Sequence, residues 1–201
     1  MAALATVLVG VFAAIGMGWR SWLQHRRTGS TGFRVFHGRI GSPEWCAVAA
    51  FSTAQATLTA GPILQWTGVV RPVAVLQVTG IQVTGIVLAV AGMAATSYAQ
   101  LAMGDSWRIG TDRYEQTTLV STGVFGRVRN PIFSAMLIFS LGIALLTPNA
   151  VTLVGLGLLV GSIQLTVRLV EEPHLRRIHG DDYRSYTSRV GRFIPGVGRC
   201  P

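Results

Sequence analysis

Two arginines and two glutamates set the chemistry this chain can support. Arg127-Val128-Arg129-Asn130-Pro131 opens one apolar stretch, and Arg168-Leu169-Val170-Glu171-Glu172-Pro173-His174-Leu175 closes the next. Adjacent carboxylates at the end of a membrane-length apolar segment are costly to desolvate and require cationic partners. Each piece has an ordinary account: Asn130 as an N-cap with Pro131 in the first turn describes a plain helix start. Arg168 can likewise pair with Glu171 or Glu172 one turn on. Those accounts omit the convergence. The two stretches are joined only by Thr147-Pro148-Asn149, so a tight antiparallel hairpin returns both charged ends to one membrane face. Such a cluster can grip a carboxylate through an arginine fork, for which Arg168 or Arg127 is the candidate. For an amine or thiol substrate, Glu171 or Glu172 can instead serve as a base.

The segment beyond continues the pattern. Leu175 to His179 extends a short helix, Gly180 is a natural stop, and Asp181-Asp182 can cap a second helix carrying Tyr183, Arg184, Tyr186 and Arg189. Aromatic rings and arginines in this arrangement can stack a purine and pair a carboxylate, or lie on anionic lipid as an amphipathic helix. Composition leaves both open. His25, His37, His174 and His179 show no metal-binding spacing, and Cys46 and Cys200 cannot form a structural zinc site alone, so no metal is expected.

The elements that must position these residues are apolar. Half of the 201 residues are hydrophobic and 12% are charged, about half the charged fraction of a soluble domain. Stretches long enough to cross a bilayer fall at about 2–22, 45–67, 72–103, 131–147 and 149–170. The third is long enough to tilt or project, and the first is read as a retained span rather than a cleaved leader. All 17 basic residues are arginine, against 8 acids. If the spans alternate, every arginine except Arg71 falls on one side. That asymmetry places the C-terminus in the cytoplasm and the N-terminus outside, with the charge facing anionic lipid rather than nucleic acid. The expected fold is therefore all-α and integral to the membrane, about five transmembrane helices with a cytoplasmic C-terminal helical cofactor-binding region. Residues 1–110 would form three helices and a loop, and 111–201 the catalytic module. Gly157-x-x-x-Gly161 and the Gly80/Gly85 region permit close helix packing. Gln55, Gln65, Gln77, Gln82 and Gln164 are read as interhelical hydrogen-bonding groups before cavity-lining ones.

From about 117 to 195 the chain resembles the isoprenylcysteine carboxyl methyltransferases and the related phospholipid methyltransferases. The resemblance is carried by Leu119-Val120-x-x-Gly123-Val124-Phe125, Arg127-x-Arg129-Asn130-Pro131-x-Phe133, Glu171-Glu172-x-x-Leu175, and Gly180-Asp181-Asp182-Tyr183-x-x-Tyr186 through Val190-x-Arg192-Phe193-Ile194-Pro195. It implies S-adenosylmethionine bound on the cytoplasmic side and a lipophilic acceptor entering between helices. By that resemblance Arg129, Asn130, Pro131 and the backbone of Leu119, Val120, Gly123, Val124 and Phe125 contact the cofactor. Glu171, Tyr183 and Tyr186 close the pocket, while Glu172 and Arg168 face the acceptor or hold the site together. Asn130 stands where the family often has histidine, and Phe133 where it often has tyrosine.

The expected activity is S-adenosylmethionine-dependent methylation of a small lipophilic acceptor, with a carboxylate favoured. An all-arginine composition points to a GC-rich bacterial source, hence an inner-membrane address and an acceptor other than a prenylated protein. A sterol-reductase type of enzyme binding NADPH is the rival, although such proteins usually have about twice as many spans. A non-enzymatic membrane protein is the third reading. Acceptor identity and oligomeric state are not legible.

Overall fold

The computed structural model of the chain describes residues 1–32, 39–108 and 118–200. The expected boundary at 110/111, together with Arg34, His37 and Arg113, lies outside the described residues. Helix α1 (Ala2–Ala13) runs through a π-helical turn, Ala14–Trp19, into α2 (Arg20–Thr28). Helices α3 (Pro43–Trp66), α4 (Thr79–Ala102), α5 (Pro131–Leu146) and α6 (Ala150–Leu165) follow. A second π turn, Thr166–Glu171, leads into α7 (Glu172–Arg189). Among the described residues regular structure is helical throughout, with only isolated bridges such as Val128 to Gly191.

Among the described residues three helical segments are long and apolar enough to cross a membrane: Ala2–Thr28, Thr79–Ala102 and Ala150–Arg189. Helix α5 is as apolar but only 16 residues long. Helix α3 has the length, at 24 residues, but serine, threonine and glutamine dilute it. The last segment has 40 residues, more than the roughly 20 a bilayer needs, and is not one continuous helix, because the chain breaks at Gly180. Its apolar portion, 150–170, has the length of a span, and the carboxylates of Glu171 and Glu172 follow it.

Glycines decide how the helices pack, and of those the sequence singles out only Gly85 is among them. Helix α4 runs antiparallel to α5 at backbone contact. A methyl group on Gly92 would collide with the backbone of Phe139, and one on Gly142 with that of Ala89. Similarly, α3 lies along α6, where a Cβ on Gly155 would sit 2.6 Å from the Leu58 nitrogen. Gly85 does pack closely, 2.9 Å from the Gly142 carbonyl, whereas Gly80, Gly157 and Gly161 face open space on exposed surfaces. Two apolar clusters result, one around Ala89, Phe139 and Ile143, the other around Leu58, Leu159 and Ile163.

Polar groups tie the ends. Asn149 caps α6 through the Thr152 amide at 2.9 Å and donates to the Gly61 carbonyl at 3.1 Å and to Gln65 Oε1 at 2.9 Å. Beside it the Val73 amide donates to the Pro148 carbonyl at 2.6 Å. The long 72–103 stretch is thus a turn with a short 3₁₀ segment, Ala74–Leu76, followed by a straight helix of ordinary length. At the opposite end Arg20 is fully buried, donating to Gln24 Oε1 at 2.9 Å and to the Gly104 carbonyl at 2.7 Å, with its guanidinium 4.5 Å from the Trp107 ring centre.

Candidate functional site

The C-terminal segment and the entry to α5 form one unit. Val128 bridges Gly191, the Arg129 amide donates to the Gly191 carbonyl at 2.8 Å, and the Asn130 amide donates to the Arg192 carbonyl at 3.1 Å. Pro131 occupies the first turn of α5 as expected, but the Asn130 side chain does not cap the helix. Its Nδ2 donates instead to the Arg192 carbonyl at 3.1 Å, which ties the side chain to the C-terminal segment. Ser134 Oγ reinforces the seam by donating to the Phe193 carbonyl at 2.7 Å.

Under this seam lies the charge cluster. Arg129 is 6% exposed. It donates to the carbonyls of Thr187 (3.1 Å), Val190 (3.0 Å) and Gly198 (3.1 Å) and to Glu172 Oε1 (2.8 Å). Arg192 grips the same carboxylate with both prongs, Nε to Oε1 at 2.7 Å and Nη2 to Oε2 at 2.9 Å. Burial alone would raise the Glu172 pKa; the hydrogen bonds from Arg192 and Arg129 outweigh it and hold the carboxyl below its ordinary value. The same bond raises the Arg192 pKa against the effect of burial. The expected convergence of hairpin ends is therefore present as a closed Arg129–Glu172–Arg192 clamp.

Glu171 has a different environment. It faces a cavity, which leaves the residue half-buried, yet desolvation pushes its pKa up to about 7. The charge of Arg108 opposes that rise and Glu172 adds to it. Tyr183 and Tyr186 pack beside it with ring centres 6.1 Å apart, and Tyr186 donates its hydroxyl to the Phe125 carbonyl at 2.6 Å. Burial raises the Tyr186 pKa to about 12, so it stays a hydrogen-bond donor.

The cavity has a volume of about 620 Å³. Leu119, Val120, Phe125, Arg129, Asn130, Pro131, Glu171, Glu172, Tyr183 and Tyr186 border it, so most of the expected site comes together. Gly123 and Val124 are not on its wall; they belong to the 3₁₀ turn, Gly123–Gly126, that presents Phe125. Gly123 takes φ +59°, a conformation a side chain would disfavour. Arg127 and Arg168 do not reach the cavity either. Both are exposed, and Arg168 Nε donates to Gln164 Oε1 at 2.9 Å rather than to a glutamate. Arg127 ends the 3₁₀ turn facing outward, while the Val128–Gly191 bridge turns Arg129 inward.

Sequence reasoning misses the N-terminal half of the wall: Phe12, Phe51, Leu58, Thr96, Trp107 and Arg108 also line the cavity. Gln55 lies there too, its buried Oε1 lacking a hydrogen-bond partner, whereas Gln65 and Gln164 are bonded within the fold. A glutamine in an apolar helix is the one sequence-visible sign of that wall. Both π-helical turns border the cavity, through Gly16 and Met17 on one side and Val170 and Glu171 on the other. Such turns insert a residue into a helix and recur at functional sites.

Residues 74–182, more than half of the chain, match the family profile described as phospholipid methyltransferase. Among curated proteins, the protein-S-isoprenylcysteine O-methyltransferase of Xenopus laevis is 27% identical over 125 residues, which cover 60% of this chain and 43% of that protein. The match thus spans less than half the length of this relative.

Proposed function

The chain belongs to the phospholipid methyltransferase family, and from that premise we propose that it is an integral membrane methyltransferase using S-adenosylmethionine to methylate a lipophilic acceptor, foremost a carboxylate. One observation carries the reading: a single cavity is bordered by the Arg129–Glu172 cluster and Tyr183 and also by the apolar side chains Phe12, Phe51 and Phe139. A donor with charged and aromatic parts and an acceptor with an apolar chain would both find matching walls there. The volume of about 620 Å³ lies within the roughly 300–1,000 Å³ usual for small-molecule sites.

The residues present fit the donor. Leu119, Val120, Phe125, Tyr183 and Tyr186 offer apolar and aromatic surface for a purine, and Arg129 keeps a buried Nε without a partner, a remaining donor for an anionic group. When bound, the donor supplies a methyl carbon activated by its sulfonium. This chain's residues then align and desolvate. Glu172, Arg129 and Arg192 hold the C-terminal segment over the pocket, while the apolar wall excludes water from the reacting groups. A carboxylate acceptor is already nucleophilic near neutral pH and requires no base; an amine or thiol acceptor would use Glu171, the carboxyl with the raised pKa.

The reading includes the topology. Helices α3 and α5 are taken as spans because each runs at backbone contact along a membrane-length partner, α6 and α4 respectively. The resulting five spans place the arginine-rich loops and the C-terminus in the cytoplasm.

Calorimetric titration of the detergent-solubilised chain with S-adenosylhomocysteine, beside NADP, tests the function. Saturable binding of the former, weakened at least tenfold by Val120→Trp, which fills the pocket, is the expected result. Binding of NADP alone would replace the methyltransferase reading with a reductase. Arg129→Ala is a poor probe, because it releases three carbonyls and a buried glutamate at once.

A further inference from the structure

We propose that the stacked rings of Phe12 and Phe139 close the apolar limb of the cavity and so set the length of hydrocarbon chain the acceptor carries. The inference rests on the reading of a lipophilic acceptor and adds the residues that measure it.

The cavity ends at one level on four helices. Its residues farthest from the charge cluster are Val9 on α1, Thr59 on α3, Thr96 on α4 and Ser140 on α5; among the described residues none farther along these helices borders it. At that level the Phe12 and Phe139 rings lie face to face, with centres 4.0 Å apart and planes 11° from parallel. Behind them the space is filled: Ala5, Ala89, Ile143 and Leu146 are at most 1% exposed and pack with Phe139 into one apolar cluster.

A stop works only if it cannot retreat, and a close-packed interior resists displacement. Phe139 has no room to recede, because Gly92 of α4 lies so close that a Cβ there would sit 2.7 Å from the Phe139 Cα. The α3 wall is as firm. Leu58 borders the cavity, and a Cβ on Gly155 of α6 would sit 2.7 Å from the Leu58 Cα.

Position along α5 converts the stop into a length. Asn130, next to Arg129 of the charge cluster, and Phe139 both border the cavity, nine residues apart. At about 1.5 Å per residue, the limb is about 14 Å deep. A zigzag hydrocarbon advances somewhat less than its C–C bond length of ~1.5 Å per carbon, so the limb takes roughly ten to twelve carbons. A shorter chain leaves the limb part-filled and forfeits about fourfold in affinity for each missing methylene. A longer one meets the rings with carbons still outside, and its head group stands out of register with the methyl donor.

The test is calorimetric titration of the full chain in detergent with octanoate, dodecanoate and palmitate, each beside the corresponding primary alcohol. The quantity read is the ratio of variant to wild-type affinity at each length, from which partitioning into micelles cancels. Phe12→Ala removes half of the stop. Its ratio should rise at least about tenfold from dodecanoate to palmitate, the worth of roughly two further buried methylenes. Met136→Trp, on the α5 wall one turn short of Phe139, shortens the limb. Its ratio should fall about tenfold or more from octanoate to dodecanoate, and it reports even where Phe12→Ala does not fold. The alcohols, which lack the carboxylate, should follow the same pattern. Flat ratios across the lengths in a folded variant mean that the tail leaves sideways into lipid, and overturn the assignment, as does failure of wild type to bind any of these chains. S-adenosylhomocysteine binding is read separately. Length-dependent ratios in a chain that does not bind it would sink the methyltransferase reading and leave the length limit standing.

Discussion

Glu171 and Glu172 are adjacent in sequence and opposite in circumstance. Glu172 is held between Arg129 and Arg192, and removing it strands one buried and one half-buried guanidinium group. Glu172→Ala should lower stability by about 3 kcal/mol, read as a large fall in the thermal midpoint in detergent, with Glu172→Gln losing less. Glu171 faces the cavity among Arg108, Glu172 and Tyr183, with a pKa of about 7. A raised pKa means that the proton is present below that value and lost above it. The neutral carboxyl can donate to an acceptor carboxylate, while the ionised form repels it. For a lipophilic acid, kcat/KM should therefore fall as pH rises through about 7, and Glu171→Gln should flatten the fall. For an amine or thiol acceptor Glu171 must be ionised to act as a base, so the profile should rise over the same range. The direction of the slope identifies the acceptor class.

At the scale of elements, the helix pairs are set by small residues at specific contacts rather than by apolar length. Gly142 meets Ala89 and Gly155 meets Leu58 at backbone distance, so an added methyl has no room without separating the helices. Gly142→Ala or Gly155→Ala should each lower the thermal midpoint clearly, and Gly157→Ala, on an open face, should leave it unchanged or raised slightly. The break at Gly180, with φ +50° and ψ −121°, is the stop expected after His179. It redirects α7 so that Tyr183 and Tyr186 turn under the Phe125 loop, bringing the aromatic pair to the cavity.

For the whole molecule, the arginine distribution and the odd number of proposed spans make a statement about sidedness. The two cysteines provide native reporters: Cys46 is exposed at the start of α3, and Cys200 lies partly exposed in the C-terminal segment. Both fall on the arginine-rich side. A membrane-impermeant maleimide should label them in inside-out vesicles and not in intact cells, with Cys46→Ser and Cys200→Ser assigning each signal. Labelling from opposite faces would break the five-span topology.

Much of this was legible in residue order. Long apolar stretches read as helices because a bilayer leaves the backbone no other local partner, and the short Thr147-Pro148-Asn149 turn forces its two helices antiparallel. The same turn brings Arg129 to Glu172, a local consequence of chain length. The sequence also placed Leu119, Phe125, Tyr183 and Tyr186 in one site through motif resemblance. Tertiary structure alone decided which arginine does what. Arg127 and Arg129 differ by two positions and in nothing else chemically, yet a bridge to Gly191 turns one inward and leaves the other in solvent. It likewise decided that Phe12, Gln55, Thr96 and Arg108, distant in sequence and carried by four different segments, share a wall with the charge cluster. The physical reason is that hydropathy and spacing report each helix's periodicity and length, whereas a cavity is made by the faces that several helices turn toward one another.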